Sequence, residues 1–239
     1  MVETALFPLT LSEATVRKSG VTLVGPVDLE IGPIGTTVVI GPNGAGKSTL
    51  LRLMHGLDRA AKGRVDWNVP MKDAQNRQGF VFQTPILMRR SVVDCIAYPL
   101  LVHGVSRKDA HAQALDWADR VGLADHAARP ARTLSGGERQ KMALARALIR
   151  NPDILFLDEP CASLDGSATR EIEGILKSAR TANTRMVMAT HDMGQAKRLA
   201  DDVLFIYRGK VHEHSTAEAF FKAPQTPEAQ AFLRGDILE

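Results

Sequence analysis

The feature that most restricts this chain is Gly41-Pro42-Asn43-Gly44-Ala45-Gly46-Lys47-Ser48, set directly behind Thr36-Thr37-Val38-Val39-Ile40. The β-branched run reads as a buried strand that enters a tight turn at Gly41. Beyond the loop, Leu50, Leu51, Leu53 and Met54 suit a buried helix over Lys47 to His55, with Gly56 as its C-terminal stop. Strand, glycine-rich loop and helix in this order open an α/β unit that holds phosphate.

The chemistry accounts for the residue types. A triphosphate concentrates negative charge in a small volume. The first N–H groups of a helix lack intrahelical partners and sit at the positive end of its dipole, so they can surround that charge. Glycines let the backbone approach without a Cβ clash. The loop fits the phosphate-loop pattern GxxxxGK[ST] at every fixed position, and Thr49 follows it. Lys47 is expected to reach the β- and γ-phosphates and the Ser48 hydroxyl to ligate Mg²⁺. The ligands implied are ATP and Mg²⁺.

Strand and helix patterns alternate along the rest of the chain. Gly79 to Phe82, Ile154 to Leu157, Arg185 to Ala189 and Val203 to Tyr207 read as strands, and Thr169 to Ala179 as a helix. This alternation predicts a mostly parallel sheet with helices on both faces. From about Ser91 to Arg150 the pattern is helical. Ser106 caps one expected helix over Arg107 to Val121, and Gly136 to Ile149 is a second. One domain over 1–239 is expected, with a nucleotide-binding core at 1–83 and 151–215 and an inserted helical subdomain at 84–150. A helical tail follows at 216–239, interrupted by Pro224 and Pro227.

Composition narrows the classes. Aromatics are only 5% of 239 residues, which argues against a stacking platform for single-stranded nucleic acid. A net charge of +3 is too mild to imply DNA binding. No apolar run approaches a membrane span, and the N-terminus carries Glu3 without a basic leader region. A cytoplasmic chain is expected, touching a membrane peripherally or through a partner. Cys95 and Cys161 stand outside any CxxC pair and read as free buried thiols.

Two further segments carry chemistry. Ile154-Leu155-Phe156-Leu157 runs into Asp158-Glu159, which delivers two carboxylates to the sheet edge where ligands bind in such folds. Successive strand residues point to opposite sides, so the two acids are expected to do different work. Asp158 is assigned to the Mg²⁺ shell and Glu159 to the base that polarises the attacking water. In Leu134-Ser135-Gly136-Gly137-Glu138, a serine and two glycines at a helix start make a second anion-binding terminus. One nucleotide does not need two clamps in one chain. A dimer does, if each copy closes its second clamp over its neighbour's nucleotide.

With these residues in view, the sequence resembles the ABC transporter ATPase family from about Leu9 onward. Leu134 to Glu138 followed by Arg139 and Gln140 matches that family's signature. Gln83, the Asp158–Glu159 pair, Ala162-Ser163-Leu164-Asp165 and His191 follow in the family's order. The resemblance implies a P-loop NTPase fold with an N-terminal antiparallel strand region. It also implies roles. Gln83 would touch Mg²⁺ or the water and report to a membrane permease. Asp165 would organise the dimer interface, and His191 would hold the γ-phosphate. The partners implied are a second copy of the chain, integral-membrane permease subunits and an extracytoplasmic solute-binding protein, with no nucleic acid. The chain would sit on the inner face of the membrane.

One departure stands out. Family members commonly stack an aromatic on adenine from a turn before the phosphate loop, and Thr15-Val16-Arg17-Lys18-Ser19-Gly20 has none. Lys18 or Arg17 occupies that place, and a cation with its alkyl stem over the purine predicts loose base discrimination. The stretch Thr84-Pro85-Ile86-Leu87-Met88-Arg89-Arg90-Ser91-Val92 resembles the ATPases of tungstate-type oxyanion importers. Two rivals fit less well. A ribosome- or chromosome-directed ABC ATPase would carry a second such domain or a long coiled coil, and a metabolic P-loop kinase would lack the Ser135–Gly137 turn.

Overall fold

Residues 4–236 are described by a computed structural model. Glu3, on which part of the leader reading rests, and the last three residues of the tail lie outside them. Two long N-terminal strands, β1 (Leu9–Lys18) and β2 (Val21–Ile31), pair antiparallel and precede β3 (Thr36–Ile40) and α1 (Lys47–His55). Then come β4 (Lys62–Trp67), α2 (Met71–Asn76) and β5 (Gln78–Val81). Three helices follow, α3 (Val92–Val102), α4 (Arg107–Arg120) and α5 (Gly136–Leu148). The remainder is β6 (Ile154–Asp158), α6 (Gly166–Thr181), β7 (Arg185–Ala189), α7 (Met193–Leu199), β8 (Asp202–Tyr207), β9 (Lys210–Thr216), α8 (Ala217–Lys222) and α9 (Pro227–Arg234).

The larger sheet has the order β5-β6-β7-β3-β8-β9 and is parallel except for β9, which closes the edge antiparallel to β8. Every residue of β3, β6 and β7 is buried, as expected of parallel strands covered on both faces. The smaller sheet, β2-β1-β4, is antiparallel. It packs with α1 over one face of the large sheet, where Leu50, Leu51 and Met54 meet Phe156 and Val187. On the opposite face α5, α6 and α7 bury Leu144, Leu176 and Leu199 against β6, β7 and β8.

The helical segment has a core of its own, in which Cys95, Ile96, Ala110, Ala114 and Met142 pack together. Helix α5 is buried on two sides. Ala143, Leu144 and Leu148 face the sheet, while Met142, Ala145 and Ile149 face α3 and α4. It therefore joins the two bodies. Local chemistry starts the helices where serine and aspartate occur. Ser91, Ser106, Asp165 and Asp192 each accept a backbone N–H from the first turn of the helix they precede. Gly56 ends α1 in a left-handed conformation, its N–H returned to Arg52 and Leu53.

Some elements differ from expectation. β9 stands where no strand was anticipated, because its residues are mostly charged or polar and only Glu213 is buried. Pro227 opens α9 at its first turn instead of interrupting a helix; its missing N–H costs nothing there. Cys161 is half-buried, whereas Cys95 is buried. Burial pushes the Cys161 thiol up to about 11, so the thiolate is scarce near neutrality.

Candidate active site

The phosphate loop is shaped by close approaches that only glycine allows. Gly41 has φ 151°, and a Cβ there would come within 2.0 Å of the Ile206 carbonyl oxygen. Gly46 has φ 107°, and its Cβ would lie 2.6 Å from Val24 Cγ2. β8 and β2 thus press on the loop from outside. Gly209 N–H donates to Ala45 O at 2.9 Å and fixes the loop's outer side. No side chain caps α1 at Gly46, so the first N–H groups behind the loop are open to an anion.

Lys47 is buried, with 6% of its surface exposed, and folds back over the loop. Its Nζ donates to Gly41 O at 2.9 Å and Pro42 O at 3.0 Å. Burial lowers its pKa, while Glu159 and Asp158 act in the other direction. The Ser48 hydroxyl donates to Asp158 Oδ1 at 2.8 Å. Burial raises the Asp158 pKa, and the Ser48 bond offsets part of that rise.

Asp158 and Glu159 do face different partners, but not through strand alternation alone. β6 ends at Asp158, and Glu159 takes φ 46°, a left-handed turn that redirects its side chain. Its N–H still donates to Ala189 O at 2.9 Å, a last rung between neighbouring strands. The Glu159 Oε2 accepts from Gln83 Nε2 at 3.1 Å and lies 3.0 Å from His191 Nδ1. Gln83, Glu159 and His191 leave the C-terminal ends of β5, β6 and β7, which are adjacent in the sheet. Three residues far apart in sequence therefore converge on one carboxylate beside the phosphate loop.

Among the described residues, no group of three or more His, Cys, Asp or Glu could cage a metal. The structure brings together the oxygens of Ser48 and Asp158, whereas Gln83 meets Glu159 through its amide nitrogen. A few protein oxygens beside a phosphate cradle suit Mg²⁺, which keeps several waters and takes substrate phosphate oxygens as well.

The signature turn is built differently. Ser135 caps α5, and Glu138 closes a reciprocal box by accepting the Ser135 N–H at 2.7 Å. That backbone bond, first among its causes, holds the Glu138 carboxyl below its usual range. His126 Nδ1 lies 2.9 Å from the other Glu138 oxygen. Glu138 is thus engaged in shaping the turn, which leaves the exposed Ser135 and Gly136 at its surface. Asp165 Oδ1 accepts from Ser167 and Ala168 and caps α6. Ser135 to Glu138 and Asp165 line one open groove of about 430 Å³.

Lys18 stands at the tip of the β1–β2 hairpin, exposed, beside Arg17, which donates to Gly20 O at 2.8 Å. The stretch that runs against the phosphate loop is further along β2. A Gly46 Cβ would meet the Leu23 carbonyl at 3.2 Å, and Gly25 N–H donates to Gly209 O at 2.7 Å. Val21 and Leu23 are apolar yet 62% and 37% exposed. Sequence reasoning passed over this pair. The alternation Val21-Thr22-Leu23, with apolar residues on the face away from buried Val24, was the available signal.

The comparisons with known proteins agree with this geometry. The profile of the family described as ABC transporter matches residues 24–162. The glutamate transport ATP-binding protein GluA of Corynebacterium efficiens is 35% identical, covering 89% of this chain and 91% of its own. The tungstate uptake system ATP-binding protein TupC of Peptoclostridium acidaminophilum is also 35% identical, over 89% of this chain and 99% of its own. A solved dimeric ATP-binding cassette in a post-hydrolysis state, bound to ADP and phosphate, superposes with a TM-score of 0.78 at 25% identity. That match covers 87% of this chain and 98% of the cassette. A phosphate cradle, a carboxylate served by three strands and a second glycine-rich helix start thus fall within relatives of known type, and the chain belongs to the ABC transporter family as one of its ATP-hydrolysing subunits.

Proposed function

We propose that two copies of this chain bind two ATP molecules, each between the phosphate loop of one copy and the Ser135–Gly137 turn of the other, and that closure drives solute import through a membrane permease. The observation that carries this reading is the pair of glycine-rich helix starts on one chain, α1 without a side-chain cap and α5 with Ser135 and Gly136 exposed at its capped turn, where one nucleotide needs only one. The dimeric form of the solved cassette supports it.

In this reading Gly41 to Thr49 surround the triphosphate. Lys47 exchanges the Gly41 and Pro42 carbonyls for β- and γ-phosphate oxygens. Ser48 and Asp158 would hold Mg²⁺, with Gln83 as a further donor, and the ion would supply neutralisation of the phosphate charge. Water attacks the γ-phosphorus, the bond to the bridging oxygen breaks, and ADP leaves with the bonding pair. Glu159 orients and polarises the water and accepts its proton, while His191 contacts the γ-phosphate. Asp165 shapes the facing surface at the dimer seam. ATP favours the closed dimer because only there does it touch both clamps, and loss of the γ-phosphate removes that preference.

The permease is placed against residues 84–90, where Ile86, Arg89 and Arg90 are exposed. The chain would lie on the inner membrane face; no helix among the described residues is long and apolar enough to cross a membrane. An extracytoplasmic solute-binding protein would complete an importer. For the substrate, an oxyanion such as tungstate is supported by the Thr84–Val92 stretch and by the likeness to TupC. The equal likeness to GluA supports amino-acid import as the second reading. Uptake of tungstate and of glutamate, measured in cells with and without an active chain, separates them. Loss of tungstate uptake alone supports the first. Loss of neither, with no membrane protein co-purifying with the tagged chain, removes the transport role and leaves the ATPase.

A further inference from the structure

The signature turn must meet a nucleotide held by another copy, so its direction matters more than its own binding strength. Two contacts tie that turn to α6, the helix that starts at Asp165. The first is steric. A Cβ on Gly137 would lie 3.1 Å from Ala168 Cβ, so the start of α5 rests directly on the start of α6. The second lies one helical turn further along. Lys141 Nζ is 2.8 Å from Glu171 Oε2. Gly137 and Lys141 are spaced i, i+4 on α5, and Ala168 and Glu171 are spaced i, i+3 on α6, so each pair shares a helix face. Beyond the shared core of Leu144 and Leu176, these two contacts hold the ends of the helices nearest the signature turn at a set angle.

The Lys141 side chain is only 12% exposed, while Glu171 is 52% exposed. Gly122 borders the ammonium, since a Cβ there would stand 3.6 Å from Lys141 Nζ, at ordinary contact distance. An ion pair open to water on one side adds little to stability. What it can hold is geometry.

We propose that Lys141 and Glu171 are positioning residues, which set the angle at which Ser135–Gly137 meets the partner copy's nucleotide. The proposal rests on the two-copy sandwich described above. Breaking the pair leaves Glu159, His191 and the phosphate loop untouched but lets the second clamp swing. Affinity for ATP falls, while turnover at saturation persists.

The test is steady-state ATPase titration on the full chain with Lys141→Met, Glu171→Gln, Lys141→Arg and the reciprocal swap Lys141→Glu with Glu171→Lys. Lys141→Met and Glu171→Gln are expected to raise KM for ATP about 3- to 5-fold with kcat within about 2-fold, and Lys141→Arg and the swap to return KM to within about 2-fold of the parent. Unchanged KM in both single variants overturns the proposal, as does a fall in kcat at constant KM. A swap as impaired as the singles does so too. Melting midpoints are expected to stay together across the set; a variant that melts early is replaced by Lys141→Gln, read against the same criteria. Ser135→Arg separates the two levels. If it leaves KM unchanged, the sandwich reading fails. If it raises KM while Lys141→Met and Glu171→Gln do not, only the positioning role falls.

Discussion

Ser48 and Asp158, separated by 110 positions in the chain, share a hydrogen bond of 2.8 Å at the mouth of the phosphate loop. Each meets the other's polar need, and in the proposed reading the same two oxygens would hold Mg²⁺. Asp158→Asn keeps the shape but removes the charge. The Mg²⁺ concentration for half-maximal ATPase activity, titrated at fixed nucleotide, is expected to rise about 10-fold or more. An unchanged Mg²⁺ requirement would take Asp158 out of the metal's surroundings.

Glu159 accepts from Gln83 and pairs with His191, so its carboxylate is held in place before water arrives. Glu159→Gln retains size and removes the carboxylate proposed as the proton acceptor. ATP binding is expected to persist while turnover drops by about 10²- to 10⁴-fold. Size-exclusion chromatography with ATP is expected to show an accumulated dimer. Normal turnover in this variant would assign the base elsewhere.

Base recognition can be checked at the hairpin. Without an aromatic platform, GTP is expected to be hydrolysed at a useful fraction of the ATP rate, and a strict ATP preference in competition would contradict this. Leu23 borders the phosphate loop through its own backbone, and its exposed side chain offers an apolar surface. Leu23→Asp is expected to raise KM for both nucleotides about 3- to 10-fold, whereas Lys18→Ala distinguishes a cation over the purine from a solvated tip.

His55 supplies a pH dependence of folding that has nothing to do with catalysis. Its ring lies edge-on to Phe80 and Phe156, with centroids 5.3 and 5.7 Å away. Burial lowers its pKa to about 4. Below the unfolded value the unfolded chain takes up a proton that the folded one refuses, so stability is complete above about pH 6.5 and declines toward pH 4. Between pH 7 and 4.5 this site is expected to remove about 2–3 kcal/mol. Urea unfolding of the parent and of His55→Leu should differ in pH slope by that amount; parallel slopes would show that His55 is protonated in the fold.

What could be read in advance follows physical lines. β3 and β6 were legible because strands buried on both faces are nearly all apolar. α4 was legible because Ser106 precedes its apolar spacing. β4, α2, α7 and β9 were not, since Lys62, Asp73, Gln195 and His214 sit in short segments whose places are set by neighbours. The strand running into Asp158 and Glu159 was legible, but the left-handed turn at Glu159 was not. A backbone angle leaves no mark in residue type when the residue is not glycine. For the same reason, the nearness of Leu23 to the phosphate loop came only with the pairing of β2.

Helix α5 holds the signature turn at one end. Near the other, Arg146 donates to the Ile86 carbonyl at 2.8 Å, gripping the exposed loop placed against the permease. Ser135 and Arg146 are eleven positions apart, about 16 Å of helix. A helix wedged between two cores does not bend easily, so under the proposed docking a push on Ile86 would reach Ser135 as a movement of the whole rod. In that reading the chain would work as one lever, its permease-facing and nucleotide-facing arms parts of a single stiff piece, and timing between them would need no relay of separate contacts.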